Sequence, residues 1–175
     1  VVYHSNRGGN WNIWKLDREN RTAVQLTSGT RDSNWPQFTA DGGNVIYHHT
    51  GMDAMFNLWR IPVAGGTAEQ ITKDLTMHPA VSQKTGMIAC WYAADVSKPV
   101  WKVALLNPDG SGPVKLFNVA PTVRPDTTLR WMPDGTAFAY VDDRQGSSNI
   151  WLQPIDGGEP RPLTQFPSGQ IYYNF

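Results

Sequence analysis

The chain has 175 residues, 15 basic and 15 acidic side chains, and 40% hydrophobic residues that include eight Trp, six Tyr and six Phe. That length suits one domain with a sizeable core, and the aromatic content excludes disorder. Zero net charge without a basic stripe excludes a nucleic acid or an anionic membrane as the expected partner, since both are held by dense Lys/Arg patches, and no run approaches the roughly 18 apolar residues of a spanning helix.

The first residues read as a strand centred on Tyr3, with no initiator Met and no signal-peptide pattern, so the chain is expected to be a piece excised from a longer polypeptide. Arg7-Gly8-Gly9-Asn10 precedes no helix and reads as a hairpin loop into the strand Asn12-Ile13-Trp14-Lys15-Leu16; Leu26-Thr27 marks a further strand. Trp35-Pro36-Gln37-Phe38 then runs into Thr39-Ala40-Asp41-Gly42, where Asp-Gly predicts a primed hairpin turn. The same succession follows as Tyr47, Asn57-Leu58-Trp59-Arg60-Ile61, Ile71-Thr72 and His78-Pro79-Ala80-Val81. Gln83-Lys84-Thr85-Gly86 replaces Asp-Gly, which predicts a different turn before Cys90, Val100-Trp101-Lys102-Val103 and Leu116-Phe117. Leu129-Arg130-Trp131-Met132-Pro133-Asp134-Gly135, Tyr140, Asn149-Ile150-Trp151-Leu152-Gln153 and Leu163-Thr164 complete the last round. The best helical candidate, 64–72, is broken by Gly65 and Gly66, so the chain reads as all-β.

Trp14, Trp59, Trp101 and Trp151 align in one column, 45, 42 and 50 residues apart. Four strands per unit at such a period predict a β-propeller of four-stranded antiparallel blades, with repeats at about 1–43, 44–86, 87–135 and 136–175 in a single propeller or half-propeller domain. Four blades per chain and complementary ends predict an eight-bladed ring completed as a homodimer through the terminal blades, with 171–175 pairing with 1–5; a four-bladed monomer and an open arc are the alternatives.

Thr39-Ala40-Asp41-Gly42, Trp131-Met132-Pro133-Asp134-Gly135, Asp142-Asp143-Arg144, Asn149-Ile150-Trp151 and Gln25-Leu26-Thr27 together resemble the TolB-like, WD-related propeller repeat over the whole chain, least well in the third repeat. The resemblance implies an interaction or gating module, as in periplasmic TolB, bacterial sensors and regulators, or the noncatalytic propellers of prolyl-oligopeptidase-like peptidases. It favours a periplasmic or extracytoplasmic location.

The residues themselves carry little chemistry. His4 and His48 share a column with Trp91 and Val141, which predicts packing, and the adjacent His48 and His49 point to opposite faces of one strand. No metal, cofactor or nucleophile motif emerges: Cys90 lies in an apolar run, no Gly-x-Ser-x-Gly elbow exists, and Asp142 and Asp143 belong to a turn whose amides they would bond. The chain is expected not to be an enzyme. Residues that break the repeat are the candidates for binding a protein or peptide: Trp35, His78, Arg124 and Arg130 near the channel mouth, and the apolar loop 52–56. The alternatives are a propeller hydrolase or enzyme-associated gating domain acting on glycans or peptides, and a scaffold without autonomous function.

Overall fold

The computed structural model describes residues 1–51 and 55–171. These form four antiparallel sheets, each a meander in chain order. The first holds β1 (Val2–Gly8), β2 (Asn10–Asp17) and β3 (Thr22–Gln25); the second β4 (Ser33–Phe38), β5 (Asn44–Thr50), β6 (Phe56–Pro62) and β7 (Glu69–Gln70). The third holds β8 (Leu75–Val81), β9 (Ile88–Ala93), β10 (Lys102–Leu106) and β11 (Lys115–Asn118); the fourth β12 (Arg130–Trp131), β13 (Ala137–Asp142), β14 (Asn149–Pro154) and β15 (Arg161–Pro162). The described residues contain no α-helix, only a 3-10 turn at Arg144–Gly146. The sheets run one strand out of phase with the sequence repeats, because the last three repeats begin at the second strand of a sheet, β5, β9 and β13, and β1 of the three-stranded first sheet aligns with those strands.

Successive sheets stack face to face, and alternation along each strand supplies both faces. Ile13, Val45, Tyr47 and Ile61 fill the first interface, Ile46, Leu58, Ile88 and Cys90 the second, and Trp91, Val103, Phe117, Phe138 and Tyr140 the third. Two lysines on these faces find partners across them: Lys15 Nζ donates to the Val63 carbonyl at 2.9 Å and Lys115 Nζ to that of Ile155 at 2.8 Å, each tying one sheet to the next. Tyr47 with Trp59, and Tyr140 with Trp151, therefore face the preceding sheet. Tyr3 pairs with Trp14, and alternation turns both away from the second sheet.

The recurring Asn-apolar-Trp and Leu-Thr segments have a common physical basis. Thr27, Thr72 and Thr164 each accept, through Oγ1, the backbone N–H of Ile13, Leu58 and Ile150, at 2.8–2.9 Å. Thr27 and Thr164 in turn donate to the buried amides of Asn12 and Asn149. Each clamp satisfies a ladder donor where the outer strand leaves the sheet.

The third sheet departs from the predicted alignment. Tyr3, Tyr47 and Tyr140 pair with Trp14, Trp59 and Trp151, whereas Cys90 pairs with Ala104 and not with Trp101. The true column is 14, 59, 104 and 151, spaced 45, 45 and 47 residues. A small pair stands where two large aromatics stand elsewhere, and a longer connection before β10 carries Trp101 outside the strand. The downstream column shifts with it: Phe117 pairs with Val103 and Asn118 with Lys102, so Phe117-Asn118 stands where Leu26-Thr27 does in the first sheet.

The Asp-Gly turns also differ from a two-residue primed hairpin. Gly42 N–H donates to the Thr39 carbonyl, Thr39 N–H to that of Asn44, and Gly42 rather than Asp41 is left-handed, at φ 70°. Asp41 instead turns its carboxylate inward to accept the Gly43 N–H and the Thr39 hydroxyl. Gly135 repeats this at φ 73°. Third-sheet residues 82–87 close differently, as expected, with Gly86 N–H donating to the Ser82 carbonyl.

Candidate functional site at the channel mouth

The first strands of the second, third and fourth sheets, β4, β8 and β12, converge. Both β4 and β8 carry a β-bulge, between Asn34 and Gln37 and between Met77 and Ala80. The bulges fall on Trp35-Pro36 and His78-Pro79: proline has no N–H for a ladder and is tolerated where pairing is interrupted. Trp35 and His78 both take left-handed backbone conformations, at φ 57° and 52°, which bulky residues adopt rarely and which cluster at binding sites.

A histidine of the preceding sheet holds each bulge. Trp35 N–H donates to His4 Nδ1 at 3.2 Å, and His78 N–H donates to His48 Nδ1 at 3.3 Å. Both imidazoles must therefore carry their proton on Nε2. The third residue of that column, Trp91, works in the opposite sense, its Nε1–H donating to the Thr127 carbonyl at 2.9 Å. His78 Nδ1 lies 3.3 Å from the same oxygen, so its tautomer is the reverse of that of His48. The column read as packing is thus also a set of hydrogen-bonding posts. Burial lowers the pKa of His4 and His78 and takes that of His48 well below the ordinary imidazole value.

The outcome is a continuous aromatic cluster. The Trp35 and His78 rings lie 4.5 Å apart, His78 stacks on His48 at 5.2 Å, and His48 meets Phe56 at 5.0 Å. Trp11, 38% exposed, meets His4 edge-on at 5.1 Å. Two of the four candidates, Trp35 and His78, are thereby brought together.

Arg124 lies beside them on the connection between the third and fourth sheets, where the Thr127 hydroxyl donates to its carbonyl at 2.6 Å. Its guanidinium is committed: Nε and Nη2 engage Asp126 at 3.0 and 2.7 Å, and Nη1 reaches Asp143 at 3.5 Å. Arg130 stands apart, on β12, in a cavity between the converging strands. Of the loop 52–56, residues 52–54 lie outside the described residues. The Asp142 carboxylate, fully buried, accepts the Arg144 N–H as expected of the turn, and also the Arg144 side chain and the Thr122 hydroxyl. Ser33 Oγ and His49 Nδ1 are 3.0 Å apart, with Ser33 buried. Among the described residues no group of three or more His, Cys, Asp or Glu is placed to hold a metal ion, and no helix is long and apolar enough to cross a membrane.

Meandering sheets stacked face to face, with the first strands of three of them, β4, β8 and β12, converging on a common cavity, have the layout of a β-propeller. Its particular kind emerges from solved structures: TolB from Acinetobacter baumannii superposes with a TM-score of 0.72 at 20% identity, over 94% of this chain and 40% of that one. The putative TolB from Agrobacterium tumefaciens superposes with a TM-score of 0.70 at 16% identity, over 95% of this chain and 61% of that one. The fold is that of the TolB-like propellers. No family profile matches the chain. In sequence it is similar to an uncharacterized protein of Agrobacterium fabrum, 28% identical over 139 residues, which are 75% of this chain and 47% of that protein. A segment of 44 residues, a quarter of the chain, is 41% identical to 7% of the uncharacterized peptidase YuxL of Bacillus subtilis. The chain spans about half the length of the Agrobacterium fabrum relative.

Proposed function

We propose that this chain is a non-enzymatic propeller module that binds a protein or peptide through the mouth of its channel. The observation that carries this reading is the pair Trp35 and His78, held side by side in left-handed conformations by His4 and His48. Two sheets repeat the same costly geometry at the same place, and it props the half-buried Trp35 over the buried His78, with the exposed Trp11 reached through His4, an aromatic composition suited to peptide recognition. A photo-crosslinking residue placed at position 35 should capture a partner, and the same residue at Val24, 52% exposed on β3, should not. Capture from position 24 alone, or from neither, would refute the reading.

The segment shared with YuxL favours a second reading, in which the propeller gates access to a peptidase domain. Hydrolysis of a peptide or glycan panel by this chain, abolished by substituting an acidic residue such as Asp126 or Asp143 beside Arg124, would replace both readings with an enzymatic one. The TolB-like fold supports a periplasmic or extracytoplasmic location. Cys90 is compatible with an oxidising compartment, since it is fully buried and its thiol is pushed up to about 12.

The four sheets are read as four blades, half of an eight-bladed ring completed by a second copy head to tail. Support comes from the two terminal faces. Tyr3, Arg7 and Trp14 stack on the side of the first sheet turned away from the second, while Ala139, Leu152, Met132 and Ile150 form an apolar cluster in the fourth. Residues 172–175 of the predicted closing strand lie outside the described residues. Light scattering across a dilution series should give twice the 19.5 kDa chain mass; a monomer would refute the dimer and leave the four-bladed ring or the open arc.

A further inference from the structure

Below the aromatic mouth, β4, β8 and β12 enclose a cavity of about 200 Å³ whose lining includes Gln37, Gln83, Leu129, Arg130, Trp131 and Met132, and no acidic residue. Arg130 is half-buried there. Its hydrogen bond runs from Nη1 to the carbonyl of its own neighbour, Leu129, at 3.3 Å, and no carboxylate among the described residues pairs with it. The other arginines with ion pairs are neutralised at home: Arg60 by Glu69, Arg124 by Asp126 and Arg144 by Asp142. Burial lowers the pKa of Arg130, with no charged neighbour acting against it.

A partly desolvated guanidinium without a counter-ion is unfavourable on its own and becomes favourable when an anion completes it. Its planar fork matches the two oxygens of a carboxylate. The flanking amides strengthen the match. Gln37 and Gln83 can each offer N–H donors, and the one hydrogen bond assigned to the Gln83 side chain, to the Phe38 carbonyl, is long at 3.3 Å. Trp131 is fixed as a wall, because its Nε1–H donates to the Ala80 carbonyl at 2.9 Å.

We propose that this cavity receives a peptide carboxylate, with Arg130 as the bidentate clamp and Gln37 and Gln83 as flanking donors. The proposal rests on the peptide-binding reading and deepens it by naming the chemistry of the ligand. A side-chain carboxylate and a chain-terminal one present the same two oxygens, so the experiment separates them.

The full chain, labelled with nitrogen-15, is titrated with three peptides while the arginine Nε–Hε resonances are followed: acetyl-Gly-Gly-Gly as the free acid, acetyl-Gly-Glu-Gly-amide and acetyl-Gly-Gln-Gly-amide. One or both acids should shift the Arg130 resonance saturably, less so as salt is raised, and the neutral peptide should not. Arg130→Gln should weaken binding at least about tenfold, a loss of about 1.4 kcal/mol, and Arg130→Lys, which keeps the charge without the fork, should fall between. Melting of each variant reports its folding, and the wild-type Arg130 resonance reports binding even if a variant fails to fold. Equal shifts from the neutral peptide, an unmoved Arg130 resonance, or undiminished binding by Arg130→Gln would overturn the proposal. Inorganic phosphate binding more tightly than either acid would overturn the carboxylate assignment. If Arg130→Gln still captures a protein through position 35, the carboxylate site fails while the peptide-binding reading stands; acid peptides bound at Arg130 with no capture at position 35 give the converse.

Discussion

Mild acid should loosen the channel mouth through His48. Its Nδ1 accepts the His78 N–H, and an imidazolium has no lone pair left to accept with. The ring is 4% exposed; burial, reinforced by the neighbouring His78, His4 and His49, holds it neutral well below the ordinary value of 6.5. In the unfolded chain the same residue gains its proton near that value. Above it both states are neutral and stability is unaffected; below it the unfolded state binds the extra proton, and stability falls as pH drops towards the folded pKa. The slope is up to about 1.4 kcal/mol per pH unit for each histidine that stays neutral. His48 should therefore account for about 1 kcal/mol between pH 6.5 and 5.5, where the unfolded imidazole goes from half to nearly fully protonated, with His78 adding to it and the half-buried His4 and His49 adding less. Turn carboxylates such as Asp41 and Asp134, held below their ordinary value by the hydrogen bonds they accept, act only below about pH 4 and leave this window clear. Urea midpoints measured at stepped pH read the slope. His48→Asn places Oδ1 near the position of Nδ1, keeps the acceptor and removes the titration, so its slope should drop by nearly one proton. His48→Leu orphans the His78 N–H and should cost about 1–3 kcal/mol at neutral pH. A wild-type slope in His48→Asn would refute the reasoning.

Other perturbations address the frame. Asn149 accepts from the Thr164 hydroxyl at 2.9 Å and the Phe166 N–H at 2.7 Å, so Asn149→Ala should lower unfolding stability by about 2–4 kcal/mol in urea melts. Arg144→Ala leaves the Asp142 carboxylate buried and unpaired and removes the guanidinium stacked 3.7 Å over Trp151, for a loss of about 3–5 kcal/mol; adding Asp142→Asn should recover part of it. Cys90 should resist alkylation in the native protein and react at the rate of unfolding; fast labelling in native buffer would contradict its burial.

Much of the frame is legible in the sequence because its signals are local. The aromatic column at 14, 59 and 151, the Leu-Thr endings and the glycines after each turn all report contacts made within one hairpin. The third sheet is misread for a physical reason: Trp101 is the nearest look-alike, yet register is set by what fills the interface. There Val81, Ile88 and Leu106 occupy the space around Cys90 and Ala104, so two small residues suffice. Residue type alone could not place Ala104 in a tryptophan column. Alternation with Ile88, Cys90 and Tyr92 was the available clue.

The candidate site is harder to read because its key bonds join a side chain to the backbone of a different sheet. A backbone N–H has no sequence signature, so His4 and His48 look like packing residues that happen to be polar. The clue lies in pairing the column with the strand it faces. Where the next first strand is interrupted by Trp35-Pro36 or His78-Pro79, the interruption frees an N–H, and the post is an acceptor, His4 or His48. Where the next strand is approached through Thr127, the group to be satisfied is a carbonyl, and the post is a donor, Trp91. Histidine thus stands in this column where a compact ring that both packs and accepts is required, and its neutrality follows from that requirement. A site built in this way responds to pH through its frame, while Arg130, two residues beyond the equivalent position on β12, meets its ligand through a charge that does not titrate in the same range.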